Sequence, residues 1–172
     1  IQYLVEHGAE VNKEDKDKKT ALHYALEKGA SLEVIQYLVE HGAEVNKEDK
    51  DKKTALHYAL EKGASLEVIQ CLVEHGAEVN KEGHLKWTAL HFALSNGASL
   101  EVIQYLVEHG AEVNKEDKDK KTALHYALEK GASLEVIQYL VEHGAEVNKE
   151  DKDKKTALHY ALEKGASLEV IQ

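Results

Sequence analysis

The sequence predicts an all-α protein, a solenoid of stacked helix–turn–helix units. Three observations predict it. A 34-residue block, DKDKKTALHYALEKGASLEVIQYLVEHGAEVNKE, recurs with starts at Asp15, Asp49, Gly83, Asp117 and Asp151. Each block holds two short stretches with apolar residues at helical spacing, and a glycine follows each stretch. Neither stretch can hold itself together in water, so every unit must bury its apolar face against its neighbours.

The elements can be justified in order within the block 15–48. Asp15–Lys19 carries only charge and reads as a solvated turn. Thr20 is placed as a helix N-cap, its hydroxyl facing a free backbone N–H. Ala21, Leu22, Ala25 and Leu26 give the first helix one apolar face, and Gly29 ends it in a left-handed conformation. Ser31 caps a second helix, with Glu33 in the first turn where the helix dipole favours an anion. Leu32, Ile35, Leu38 and Val39 form its buried stripe, Gly42 stops it, and Ala43–Glu48 leads into the next turn. Complete units are expected at 15–48, 49–82, 83–116 and 117–150, with partial ones at 1–14 and 151–172, making residues 1–172 a single array.

Composition narrows the function. The net charge is -10, and no arginine occurs. Phosphate contacts need a basic stripe and arginine is the favoured base reader, so no nucleic-acid partner is expected. Apolar runs are only a few residues long, so no membrane span is expected. A lone cysteine rules out an internal disulfide framework and suits a reducing, cytoplasmic setting. The chain lacks methionine, and both of its ends fall in the register of a second helix. An excerpt or processed product without capping units is the expectation, with any targeting segment lying outside it.

Thr-Ala-Leu-His at 20–23, Leu-Glu-Val at 32–34 and Gly-Ala-Glu-Val-Asn at 42–46 resemble the ankyrin repeat signature, and the resemblance covers essentially the whole chain. The tetratricopeptide repeat shares the 34-residue period, but its Trp, Leu-Gly and Tyr pattern is missing. The resemblance implies a β-turn finger and two antiparallel helices per unit, and a role in binding proteins. Three departures stand out. Ala21 replaces the usual Pro, Lys18 replaces a turn Gly and so implies mild backbone strain, and one extra residue near Ala30–Ser31 lengthens the inter-helix link. They favour a natural repeat that was duplicated or concatenated over a pure consensus design.

The block starting at Gly83 differs from the common sequence at seven positions: Gly83, His84, Leu85, Trp87, Phe92, Ser95 and Asn96. In proteins this chain resembles, partners touch the turn tips and the exposed face of the first helix. His84, Leu85, Trp87, Ser95 and Asn96 fall on those positions. There, charged groups give way to an imidazole, an aliphatic side chain and an indole, forming an apolar patch rimmed by Lys and Asp. Trp is among the commonest interface anchors. These five residues are the expected partner-binding surface, and the substitutions are expected to spare the core stripe.

Other candidates carry less. His23, His57, His91, His125 and His159 invite a metal-ladder reading, but stacked equivalents lie too far apart to share one ion, so structural bonding is expected. His7, His41, His75, His109 and His143 sit at second-helix ends, where a cation meets the dipole favourably. Cys71 replaces a helical Tyr and reads as a semi-buried packing change. The remaining Lys and Glu read as solubilising surface, with like charges in register along the stack. No Ser/His/Asp set, phosphate-cradling loop or calcium-loop spacing is present, so no catalytic residue, metal or cofactor is expected. The reading is a non-catalytic protein-interaction module. The alternative is a structural spacer, or a solenoid that assembles head to tail.

Overall fold

The computed structural model describes residues 1–172 and is all helical, with no strand. It divides into two compact units, Ile1–Val79 and Asn80–Gln172. The first contains α1 (Gln2–Glu6), α2 (Ala21–Glu27), α3 (Leu32–Glu40), α4 (Ala55–Glu61) and α5 (Leu66–Glu74). The second opens with a 3-10 turn at His84–Lys86. It continues through α6 (Ala89–Ser95), α7 (Leu100–Glu108), α8 (Ala123–Glu129), α9 (Leu134–Glu142), α10 (Ala157–Glu163) and α11 (Leu168–Ile171).

Within each unit the helices stack as a solenoid of hairpins. First helices pack on first helices, α2 on α4 and α6 on α8 on α10. Second helices pack on second helices, α3 on α5 and α7 on α9 on α11. The hairpins close through α2 on α3, α4 on α5, α6 on α7 and α8 on α9. Ile35, Ile69 and Leu72 are fully buried in the first unit, and Leu90, Ile103, Leu106 and Leu140 in the second. The stripe read at Ile35, Leu38 and Val39 is buried, whereas Leu32 is only half-buried.

Helix limits follow the local chemistry. Gly29 and Gly42 take φ of 68° and 91°, the left-handed region that stops a helix. Lys18 also takes a positive φ, 60°, as do Lys52, Lys120 and Lys154, so the departure from Gly is a strained turn. The cap of the first helix is more elaborate than a lone hydroxyl. The Thr20 N–H donates to Nδ1 of His23 at 2.9 Å, and the same bond recurs at Thr88–His91 and Thr122–His125.

Two backbone devices join successive repeats. Asn12 Nδ2 donates to the Gly42 carbonyl and its Oδ1 accepts the Glu44 N–H, at 2.8 and 2.9 Å. Asn46, Asn80 and Asn114 repeat both bonds one block further on. The turn tips are tied as well, with the N–H of Lys50 donating to the Asp17 carbonyl and that of Lys152 to Asp119, each at 3.0 Å.

The turns correct part of the sequence reading. Asp49, Asp117 and Asp151 are not solvated; they are 5%, 5% and 4% exposed. One oxygen of each accepts the N–H groups two and four residues on, and the other accepts a tyrosine hydroxyl, from Tyr58, Tyr126 or Tyr160. Nor are all the surface charges mere solubilisers. The stacking offset brings residue i beside i+33, so Lys50 pairs with Asp17, Lys47 with Glu14 and Lys149 with Glu116. Contacts between repeats are therefore made by opposite charges, although identical charges stand in register.

Candidate functional site

In the common block, two polar pairs brace the turn against the first helix. One is the Asp–Tyr hydrogen bond just described. The other is an ion pair across eight residues: Lys121 Nζ to Glu129 Oε2 at 3.3 Å, with counterparts at Lys19–Glu27, Lys53–Glu61 and Lys155–Glu163. The same ammonium sits between two rings. Lys121 Nζ lies 5.2 Å from the Tyr126 centroid and 5.3 Å from that of Tyr160 in the next repeat. Burial first, and then the bond to Asp117, hold the Tyr126 phenol far above its ordinary range.

The block at Gly83 replaces both pairs as pairs. Asp and Tyr become Gly83 and Phe92; Lys and Glu become Trp87 and Ser95. Neither replaced pair leaves behind a carboxylate without its hydroxyl or an ammonium without its carboxylate. The indole occupies the place of the ammonium. Its ring centroid lies 5.1 Å from Phe92 and 5.1 Å from Tyr126, edge-to-face with both, and 6.3 Å from His91. Edge-to-face aromatic packing thus substitutes for a cation held between two faces.

This geometry revises where the central substitutions fall. They leave the core stripe of Ala89, Leu90, Ala93 and Leu94 intact, yet they reach the interior beside it, since Phe92 is 5% exposed and Gly83 is buried. Trp87 is half-buried in the aromatic cluster, so only part of the indole faces solvent. Ser95 is half-buried, and Asn96 is exposed at the end of α6. The Asn96 amide donates to the Phe92 carbonyl at 2.8 Å, closing the helix it follows. His84 is exposed beside Leu85 at the turn tip.

Removing the carboxylate reshapes that tip. In the common turn the aspartate holds the N–H groups at the third and fifth positions. Gly83 has no side-chain acceptor, and the Trp87 N–H goes to the His84 carbonyl at 3.2 Å instead. The turn tightens, and Leu85 (φ 59°) joins Lys86 (φ 60°), the counterpart of Lys52 and Lys120, in the left-handed region. Leu85 is left 45% exposed, and its carbonyl still accepts the Lys118 N–H at 3.0 Å. The patch is therefore an exposed leucine and imidazole on a strained tip, backed by a half-buried indole.

Tyr126 and Lys118 complete the surroundings, and neither was among the sequence candidates. Both belong to the common sequence, so no substitution marks them. Only the register of stacking, which sets block 117–150 against block 83–116, brings them to the patch.

The other candidates have structural partners. Nδ1 of His91 and of His125 accepts a backbone N–H, so the ring proton is on Nε2, which donates to the Lys121 and Lys149 carbonyls. His41, His109 and His143 donate from Nδ1 to carbonyls four residues back and stack on the tyrosines there. Cys71 is fully rather than partly buried, and burial pushes its thiol up, away from nucleophilic character. No helix is long and apolar enough to cross a membrane.

Paired helices, turn fingers and a histidine cap repeated at one fixed spacing define a helical-repeat protein. The model for ankyrin repeats, in three copies, matches residues 1–83, 42–117, 65–151 and 113–172, which together span the chain. The chain belongs to the ankyrin repeat family. That family generally mediates protein–protein interactions without catalysing reactions. Comparison with curated proteins finds no match.

Proposed function

We propose that this chain is a protein-binding module whose contact surface is the divergent central block. Leu85 and His84 make the first contact, the exposed part of Trp87 anchors the partner, and Ser95 and Asn96 set specificity along α6. The observation that carries the reading is the replacement of both polar pairs together. The surface loses charge in one block, yet no buried member of either pair is left without its partner. Elsewhere the same tip carries Lys and Asp, which favour hydration over contact.

The test is a selection from a displayed random-peptide library on the intact chain. Its comparison is a variant with all seven central residues returned to the common sequence. Binders of the parent are expected to lose at least about tenfold in affinity on that variant, and Trp87→Ala to cost about 2 kcal/mol. Equal binding to parent and restored variant would refute the reading.

A further inference from the structure

The chain holds its own controls for the central tip. At the third position of the turn the common block has an aspartate, and the lysine at the second position of the following block pairs with it. Lys50 Nζ lies 3.2 Å from Asp17 Oδ1, and Lys152 Nζ lies 2.6 Å from Asp119 Oδ1. At the central tip the third position is Leu85 and the facing lysine is Lys118. The backbone register is unchanged, because Lys118 donates its N–H to the Leu85 carbonyl at 3.0 Å as Lys50 and Lys152 do to Asp17 and Asp119. Only the carboxylate is missing. Lys118 is exposed and forms no ion pair within the chain.

We infer that the partner is a peptide segment carrying an apolar side chain next to an aspartate or glutamate. The apolar group covers Leu85 and the open part of Trp87, and the carboxylate binds Lys118 where Asp17 and Asp119 bind their lysines. Neighbouring carboxylates do not compete for that lysine, as Asp117 is buried against Tyr126 and Asp119 is held by Lys152. Lys86, exposed on the same tip, adds to the local positive charge. The ion pair selects among apolar segments, and contact with Leu85 and Trp87 supplies most of the affinity. Attraction is confined to this tip, because the chain as a whole carries a net charge of -10. A polyanion that presents charge without an apolar group is therefore disfavoured.

This inference rests on the central block being a binding surface, and the experiment separates the two. A displayed random-peptide library is selected on the full chain and counter-selected on Leu85→Asp, which restores the common residue and gives Lys118 its internal partner. Surviving peptides are expected to be enriched in Asp or Glu beside an apolar residue. Their affinity should fall about fivefold on Lys118→Ala, the upper range for an exposed ion pair, and stay unchanged on Lys152→Ala. Survivors without acidic residues, or with affinity indifferent to Lys118→Ala, overturn the carboxylate inference and leave the binding surface standing. A selection with no survivors overturns both. Lys118→Glu gives a second check, because it should prefer peptides with Lys or Arg at the same place; an unchanged preference also overturns the inference.

Discussion

Nε2 of His91 lies 3.0 Å from the main-chain oxygen of Lys121, thirty residues further along, while Nδ1 of the same ring accepts the Thr88 N–H. One imidazole thus caps α6 and ties it to the next repeat, and only the neutral ring protonated at Nε2 can do both. His23 and His125 cap their helices in the same way through Thr20 and Thr122, but their Nε2 atoms reach Lys47 and Lys149, 24 residues on within the same block.

Stability should therefore depend on pH near neutrality. Burial lowers the pKa of His23, His91 and His125 below the ordinary histidine value, against the raising effect of their carbonyl partners. The unfolded chain then binds protons that the folded chain refuses. This contribution is complete above the unfolded value of about 6.5 and is lost as pH falls through it toward the lowered folded values. Urea midpoints should drop between pH 7.5 and pH 5; a flat profile would remove the histidines as the cause.

The turn lysines are strained. Lys52 at φ 61° and Lys86 at φ 60° occupy a region that costs an L-residue about 1 kcal/mol or more. Lys52→Gly should raise stability by roughly 0.5–1 kcal/mol, the relieved strain less the added freedom of the unfolded chain. Lys86→Gly should do the same. Denaturation that shows either variant to be less stable than the parent would contradict the strain.

Asp49 and Tyr58 are both buried and joined by a hydrogen bond. Tyr58→Phe should cost about 2 kcal/mol, because it strips a buried carboxylate of one partner. Adding Asp49→Gly should cost less than the sum of the two single changes, since the pair Gly83 and Phe92 already exists in this chain. A double-mutant cycle measures the coupling, and additive costs would show that the two positions act independently.

Trp87 stands in for an ammonium. Trp87→Ala should destabilise the fold by about 2 kcal/mol, through lost contact with Phe92 and Tyr126. Trp87→Lys combined with Ser95→Glu restores the common ion pair and should stay within about 1 kcal/mol of the parent. If the double variant is as unstable as Trp87→Ala, the two side chains are not equivalent fillers of that place. Because this is the only tryptophan, its fluorescence reports the cluster without interference.

The sequence by itself determined the helices, their stops at Gly29 and Gly42, the strained lysine turn and the block that departs from the common sequence. Each depends on residues within a few positions of one another, so periodicity and capping chemistry suffice to read them. The central tip was legible for the same reason, because seven substitutions in one block of an array otherwise broken only at Cys71 mark themselves. The tertiary structure decided what those substitutions do. Asp15–Lys19 reads as solvated charge until stacking buries its counterparts Asp49, Asp117 and Asp151 beneath tyrosines nine residues on. Trp87 reads as a free anchor until Tyr126 of the next block closes over it. Lys118 reads as one lysine among many until the register sets it opposite Leu85. The last two join residues more than thirty positions apart, and that offset is fixed by core packing between hairpins, which composition and local spacing do not encode.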